Sequence, residues 1–379
     1  MYNSDGELVS SLEGRVKSIT TGTGPVKIAF IYIAYDYGTF RYRCYNICQA
    51  IHMVTDMDAT FFFVDELESI STILKKIDIV VFSRVPWDFR VESFVQKCIK
   101  NGIKLVYDTD DLVLSIKHAP LLINYIGELE NIDSWFGYIA RRKYLADECS
   151  DFITTNDVLA SHISNISNRP VHVIPNFLNQ EQIAISETIL NDRKPLGYDG
   201  KIKLGYFSGT STHNKDFKMI SSQIGQILSD NKNVSLKIVG YLDIPDELKE
   251  FSLNKRLETK SLVNFIQLQR EISECDINLI PLVDSVFTRC KSDLKFFESA
   301  VVGTVSVATR NEVYAKSITE KANGSLASQH EWYEKLSFLI KDIQALNSIS
   351  QNAVNYTLDK YSPNAQKSVS EVFNVLANK

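Results

Sequence analysis

Long apolar runs are missing from this chain of 379 residues. A helix needs about 20 consecutive apolar residues to cross a bilayer, and no segment of the sequence approaches that length. The polar residues 1–18 also lack the apolar core of a secretory signal peptide. We therefore expect any membrane contact to be peripheral.

Paired cysteines and an excess of basic residues are also missing. The six cysteines are scattered without a CxxC motif, so we interpret them as reduced thiols, which are typical of cytoplasmic proteins. The formal net charge is −5, whereas nucleic-acid-binding domains usually carry a basic stripe. The sequence therefore favours a cytoplasmic protein without a nucleic-acid partner.

A dinucleotide-binding fingerprint is absent too. The first apolar segment, residues 26–33, is followed by a loop with one glycine and not by GxGxxG, which argues against a Rossmann dehydrogenase. Short-period repeats and low-complexity tracts are likewise absent. With 44% hydrophobic and 23% charged residues, the composition is that of a globular protein whose length fits two domains.

What the chain does contain is an alternation of short apolar, β-branched segments with helix-like ones. The predicted strands are residues 26–33, 59–64, 77–83, 103–107, 152–155 and 171–174 in the first half, and 202–207, 234–239, 263–266, 277–281 and 305–308 in the second. Such alternation is typical of βαβ units and parallel sheets. We therefore predict an α/β protein with two doubly wound, Rossmann-like domains that face a central cleft.

Polar segments containing Gly and Pro mark the predicted boundaries. Residues 1–25 are interpreted as a flexible lead-in or linker, 26–195 as the first domain, 196–355 as the second, and 356–379 as a helical tail that packs back on the first. The lead-in also raises the hypothesis that the chain is one module of a larger polymerase.

The most specific motif is the segment 290–309, CKSDLKFFESAVVGTVSVAT. It resembles the donor-binding segment of retaining GT-B glycosyltransferases, in which a first Glu, a second Glu and a Gly-x-Pro-Val-Val-Ala stretch follow in order. Glu298 matches the second Glu, and the resemblance implies that its carboxylate is catalytic and accepts hydrogen bonds from the nucleotide ribose. Cys290 stands where the family has the first Glu, which puts the sugar contact of that residue in question. A solvated helix carboxylate is the alternative for Glu298.

Three further polar residues of this segment fit a diphosphate. Lys291 and Ser292 lie at the predicted start of a helix, where backbone N–H groups and the helix dipole favour an anion. Lys295 lies one turn further along. We predict that all three bind the donor, with an ordinary exposed lysine as the alternative for each ammonium.

The loop after the first strand of the second domain, residues 205–216, reads GYFSGTSTHNKD. Gly209, Thr210, His213 and Lys215 are predicted to meet the donor pyrophosphate, because glycine permits close backbone approach and the others carry hydrogen-bond donors. The loop is similar to that of a bacterial GT-B group acting in rhamnan, O-antigen and capsule assembly. The alternative is that His213 caps the following helix, with Asp216 in its first turn.

Two loops of the first domain complete the predicted site. Asp110 and Asp111, in VYDTDDL, are candidates for catalysis and for contact with the sugar or the acceptor, and a helix-capping turn is the alternative. Gly38 and Arg41 follow the first strand and are predicted to bind the donor phosphates, since arginine presents a planar fork to them. Arg41 and Arg43 flank Tyr42, so we expect only one of them to point inward.

Together with the resemblance, these residues predict transfer of a hexosyl or deoxyhexosyl group from a nucleotide-diphosphate sugar to a hydroxyl of a bacterial surface glycan, free or lipid-linked. The resemblance implies retention of configuration and no metal or other cofactor. If the enzyme inverts, Asp110 or Asp111 is the expected base. The expected location is the cytoplasm, including the inner face of the plasma membrane. A nucleotide-sugar epimerase and a non-catalytic glycan- or nucleotide-binding module remain as alternatives.

Overall fold

Twelve strands run through the parts of the chain that the computed structural model describes, which are residues 2–3, 6–36, 38–126, 131–210 and 213–378, with the backbone alone for 124–126. They are β1 (Lys27–Tyr32), β2 (Asp58–Phe63), β3 (Ile79–Ser83), β4 (Lys104–Thr109), β5 (Asp151–Thr154), β6 (Val171–Val173), β7 (Ile202–Ser208), β8 (Val234–Gly240), β9 (Leu257–Lys260), β10 (Ile277–Ile280), β11 (Val305–Thr309) and β12 (Ser325–Ala327).

Helices separate these strands and cover the sheets. They are α1 (Leu12–Thr21), α2 (Asn46–Val54), α3 (Leu67–Ser71), α4 (Phe89–Lys100), α5 (Ala119–Ile126), α6 (Ile132–Glu148), α7 (Asp157–Ser164), α8 (Gln180–Asp192), α9 (Asn214–Lys218), α10 (Ser221–Asp230), α11 (Lys249–Leu253), α12 (Phe265–Ser273), α13 (Val286–Arg289), α14 (Leu294–Ala300), α15 (Glu312–Ala315), α16 (Trp332–Lys341), α17 (Ile343–Tyr361) and α18 (Lys367–Ala377).

The strands form two six-stranded sheets, one in each half of the chain. Their orders are β2-β1-β3-β4-β5-β6 and β12-β11-β10-β7-β8-β9, and every pairing is parallel. Side chains of β1 alternate between two hydrophobic clusters, Ile28 and Phe30 on one face and Ala29 and Ile31 on the other. Burial on both faces explains the continuous apolar runs of these strands and confirms the predicted pair of doubly wound domains.

One predicted strand is wrong. Residues 263–266 do not form a strand, because Asn264 caps α12 by accepting a hydrogen bond from Gln267 N at 2.9 Å, and the apolar side chains that follow belong to the first turn of that helix. The strand lies earlier, at β9. A short apolar run does not distinguish a strand from a helix start by its periodicity.

The expected flexible lead-in is also wrong for residues 12–21, which form α1. Ser11 caps this helix by accepting from Gly14 N at 3.1 Å. Arg15 is buried, pairs with Glu66 at 2.6 Å and donates to the carbonyl of Phe61 at 3.0 Å. These contacts fix α1 on the first half of the chain.

The C-terminal helices connect the two halves. Helix α17 packs on α14 of the second half, and α18 packs on α2 of the first. In α18, Phe373 meets Phe30 of β1 edge to face at a centroid distance of 5.9 Å. Pro363 lies in a short 3₁₀ turn between α17 and α18, where the chain changes direction.

All six cysteines are buried free thiols. In the described parts of the chain, no helix combines the length and the apolar character needed to cross a bilayer.

Candidate functional site

Charged side chains from both halves meet where the strands of the two sheets end. Asp111 follows β4 in the first half, and Lys291 lies between α13 and α14, in the connection that follows β10 in the second. The Lys291 ammonium donates to Asp111 Oδ1 at 2.8 Å, and this contact joins the two halves. In open α/β sheets, ligands bind beyond the carboxyl ends of the strands, so this junction is the candidate site.

On the first half, Asp110 and Asp111 lie against Arg84, which follows β3. Arg84 Nη2 donates to Asp111 Oδ2 at 3.0 Å, and Arg84 Nη1 is 3.4 Å from Asp110 Oδ1 without forming a hydrogen bond. Burial raises the pKa of Asp110. Burial also acts to raise the pKa of Asp111, but Lys291 and Arg84 outweigh it and lower that pKa to about 2. Asp111 is therefore an anion at neutral pH. Neither aspartate caps a helix, so the alternative of a helix-capping turn is wrong.

On the second half, Lys291 and Lys295 differ in their partners. The sequence predicts that Lys291 and Ser292 lie at the start of a helix. Helix α14 begins only at Leu294, so both residues precede it. The Lys295 ammonium makes no hydrogen bond or ion pair with any described residue and lies 5.6 Å from the centre of the Tyr206 ring. Burial and the neighbouring positive charge of Lys291 lower the pKa of Lys295. The site therefore contains a positive charge that has no direct anionic partner in the described parts of the chain.

His213 lies beside these lysines and is held by a buried carboxylate. Its Nδ1 is 2.9 Å from Asp216 Oδ2, and Asp216 Oδ1 accepts from Val283 N at 2.9 Å. Burial and the nearby Lys295 lower the pKa of His213 to about 4, so the imidazole is neutral at physiological pH. His213 occupies the N-cap position of α9, but its side chain makes no capping hydrogen bond. The capping alternative is therefore correct for the positions of His213 and Asp216, but the His213 side chain contacts Asp216 and does not cap the helix.

Glu298 lies deeper in the cleft and is 7% exposed, so the alternative of a solvated carboxylate is wrong. Its Oε1 accepts from Arg41 Nη2 at 3.1 Å and from the Tyr42 hydroxyl, both of which belong to the other half of the chain. The described residues place no donor on Oε2. Arg41 also lies over the rings of Tyr42 and Phe265, at 4.2 and 4.6 Å from their centres.

The expectation that only one of the two arginines points inward is wrong. Arg41 is 2% exposed and Arg43 is fully buried. The segment Arg41–Tyr45 is a π-helical turn, in which Arg41 reaches Glu298 while Arg43 pairs with Asp108 below the cleft, Nε to Oδ1 at 3.1 Å.

The remaining predicted residues lie at the rim. Gly38 is exposed, and its N–H already donates to Asp36 Oδ1 at 2.8 Å. Gly209 and Thr210 are exposed at the end of β7, and a Cβ at Gly209 would lie more than 4 Å from every described neighbour, so its backbone is accessible from that side. Lys215 is exposed on α9. Ser292 accepts from Asn176 Nδ2 at 3.0 Å, which is a second contact between the halves.

Sequence reasoning missed Arg84 and the full role of Asp216. Arg84 stands outside every motif, and its partner Asp111 is 27 residues away, so no local pattern marks it. Asp216 was noted only as a first-turn residue, although an acid three residues after a histidine is close enough on a helix to hold the ring.

The arrangement therefore places a cationic group of side chains beside two carboxylates of the opposite half. Lys291, Lys295 and the neutral His213 line one side, and Asp110 and Asp111 line the other. The described His, Cys, Asp and Glu residues include no group of three that could hold a metal ion.

Several solved structures share this architecture. Anabaena HepE in complex with UDP and glucose superposes with a TM-score of 0.64 at 13% identity, covering 93% of this chain and 100% of that one. For sucrose-phosphate synthase from Thermosynechococcus elongatus the TM-score is 0.60 at 10% identity, with coverage of 93% and 98%. For a mutant of S. aureus TarM in complex with Fondaparinux, alpha-GlcNAc-glycerol and UDP, the TM-score is 0.56 at 14% identity. The match covers 83% of this chain and 58% of that one.

No family model and no curated protein matches the sequence. The similarity therefore lies in the three-dimensional arrangement, at identities below those that carry function from one protein to another. It spans 93% of the chain and therefore both sheets. The chain has the GT-B glycosyltransferase fold.

Proposed function

We propose that the protein is a glycosyltransferase that uses a nucleotide-diphosphate sugar as donor. The observation that carries this proposal is the Lys295 ammonium, which has no hydrogen-bond or ion-pair partner among the described residues and lies beside Lys291 and His213 at the carboxyl ends of the strands. A diphosphate supplies the negative charge that such a site lacks. Bound UDP in Anabaena HepE and in S. aureus TarM supports this choice of ligand.

In this proposal the second half of the chain holds the nucleotide. Lys291 and Lys295 bind the diphosphate, and the accessible backbone of Gly209 lets a phosphate approach the end of β7. Oε2 of Glu298, which receives no hydrogen bond from a described residue, accepts from the ribose. Since cleavage of the glycosidic bond places negative charge on the diphosphate, the ammonium groups stabilise the transition state more than the ground state.

The first half faces the transferred sugar and its acceptor. Asp111 is ionised and accepts hydrogen bonds from sugar hydroxyls, whereas burial keeps the pKa of Asp110 raised. In a retaining reaction the departing diphosphate takes the proton of the acceptor hydroxyl, and in an inverting one Asp110 or Asp111 takes it. We propose a hexosyl or deoxyhexosyl group as the sugar and a bacterial surface glycan, free or lipid-linked, as the acceptor. This chemistry takes place in the cytoplasm or at the inner face of the plasma membrane.

A second candidate function is supported by Cys290. Its side chain is 1% exposed and its thiol donates to the carbonyl of Val286, so it does not replace the carboxylate that the resemblance expects there. A protein without that carboxylate that still binds the nucleotide would be a non-catalytic GT-B binding module. The two are distinguished by incubation with the donor: the enzyme releases the nucleoside diphosphate from it, whereas the binding module does not.

The proposal is tested by thermal unfolding with UDP, GDP, dTDP and CMP, because a ligand that binds only the folded state raises its unfolding temperature. We expect one nucleotide diphosphate to stabilise the protein, and Glu298→Gln and Lys291→Met to reduce that stabilisation. Lys232→Met, at the exposed turn before β8, is the matched control and should leave it unchanged. If none of the four nucleotides stabilises the wild type, the proposal is wrong.

A further inference from the structure

Arg84 combines an unfavourable backbone conformation with a guanidinium that makes three hydrogen bonds. Its φ is 56°, in the left-handed region that non-glycine residues seldom adopt. The surrounding hydrogen bonds hold it there: Arg84 N donates to Asp108 O at 2.9 Å, and the Tyr107 hydroxyl donates to Val85 O at 2.9 Å. Strained residues held by their surroundings concentrate at functional sites.

The guanidinium of Arg84 connects three separate segments at the cleft. It donates to Thr39 Oγ1 at 2.9 Å, to Asp111 Oδ2 at 3.0 Å and to the Tyr138 hydroxyl at 3.1 Å, and it pairs with Asp110. Thr39 belongs to the loop after β1, the aspartates follow β4, and Tyr138 lies on α6. A planar fork spreads five donors over three nitrogens and can reach partners in several segments, whereas the three donors of a lysine share one nitrogen.

The contact with Asp111 continues into the other half of the chain. Arg84 donates to Oδ2 of this carboxylate, and Lys291 donates to Oδ1. The charged and titratable groups that face Asp111 are Arg84 and Asp110 from its own half and Lys291, His213 and the Cys290 thiol from the other. Asp110 also faces Arg43 and Asp108. Arg84 and Lys291 together balance the two aspartates, so the carboxylates do not impose a net negative charge on the phosphate pocket.

We propose that Arg84 is a positioning residue for the donor site: it orients and neutralises the Asp110–Asp111 pair so that Lys291 is placed to bind the diphosphate. This inference rests on the proposed function. Without the guanidinium, both carboxylates compete for Lys291, and the net negative charge beside it opposes a diphosphate.

Arg84→Gly tests the proposal without adding backbone strain, because glycine adopts positive φ freely. Lys255→Gly is the matched control, since Lys255 has φ 60° but is exposed in the turn before β9, away from the cleft. Arg84→Lys keeps the charge and removes the fork. The measurement is the Kd, by titration calorimetry at pH 7.5 and 5.5, of whichever nucleotide diphosphate stabilises the wild type.

At pH 7.5 we expect Arg84→Gly to weaken binding by about tenfold or more, Arg84→Lys to lie between it and the wild type, and Lys255→Gly to match the wild type. At pH 5.5 the ratio of Kd values between Arg84→Gly and wild type should shrink, because carboxylates without their arginine take up a proton more readily and lose the opposing charge. The corresponding nucleoside, which lacks phosphate, should bind variant and wild type equally.

An unchanged Kd in Arg84→Gly would overturn the inference. So would a loss that is the same at both pH values and equally large for the nucleoside, since that result indicates general damage to the fold. A wild type that binds none of the nucleotides would overturn the proposed function and this inference with it.

Discussion

Replacing Lys295 by methionine should make the unliganded protein more stable and abolish its response to the nucleotide. The side chain is partly buried and its ammonium has no hydrogen-bond or ion-pair partner among the described residues. Burial lowers the pKa of Lys295, which means that the folded state binds this proton less tightly than the unfolded state does. At neutral pH, below the pKa of an unfolded lysine, the charge therefore lowers the free energy of unfolding.

The size of this change in the free energy of unfolding follows from the burial of the Lys295 ammonium. A buried, unsatisfied polar group costs about 1–3 kcal/mol, and we expect the lower end, about 1 kcal/mol, because Lys295 remains partly accessible and is near the Tyr206 ring. For domains of this size, that is a rise of roughly 2–4 °C in the unfolding temperature. Methionine is about as long as the aliphatic part of the lysine side chain, so the substitution loses little of its packing.

The assay is thermal unfolding of wild type and Lys295→Met with and without the nucleotide diphosphate that stabilises the wild type. The variant should unfold at a higher temperature without ligand and should gain little from the nucleotide. Lys232→Met controls for the loss of one surface charge and should change neither value. A Lys295→Met protein that is less stable than wild type and still responds fully to the nucleotide would refute this reasoning.

Two further predictions concern the contacts around the cleft. Breaking a buried ion pair by removing one partner costs about 3–5 kcal/mol, so Glu298→Gln and Arg41→Met should each lower the free energy of urea unfolding, and the double variant should lose less than the sum; full additivity would show that the pair is not coupled. His213 stays neutral in the folded state because burial and Lys295 lower its pKa to about 4, whereas an unfolded histidine takes up a proton near pH 6.5. Wild-type stability should therefore fall between about pH 6.5 and 4, and His213→Gln should flatten that part of the curve. If the stability of His213→Gln falls with pH as steeply as that of the wild type, groups other than His213 cause the loss of stability in acid.

Much of the fold was predictable because buried parallel strands are continuous apolar runs. The strands predicted at residues 26–33 and 202–207 are confirmed as β1 (Lys27–Tyr32) and β7 (Ile202–Ser208). The errors arose where a short run is ambiguous or where distant contacts decide. Residues 263–266 became a helix start through the cap of Asn264, and α1 is fixed by Arg15, whose partner Glu66 is 51 residues away.

The candidate site was predictable where a local motif carried it. Glu298, Lys291, His213 and Asp111 all lie at the cleft, but their partners were not foreseen. Glu298 meets Arg41, which is 257 residues earlier in the chain, and such pairings depend on how the two domains face each other. The positions of Lys291 and Ser292 before α14 also differ from the prediction, since helix boundaries depend on capping contacts that sequence patterns locate within a few residues.

The central claim is that this cleft cleaves a nucleotide-diphosphate sugar. The most direct test is to incubate the wild type and Lys295→Met with a panel of UDP-, GDP-, dTDP- and CMP-linked sugars, with and without a bacterial glycan acceptor, and to measure the free nucleotide that is released. We predict that the wild type releases the nucleotide diphosphate from one class of donor, faster when the acceptor is present, and that Lys295→Met releases at least about 100-fold less. A wild type that binds the nucleotide but releases none from any donor, with or without acceptor, would contradict the account and assign the protein to the non-catalytic binding modules.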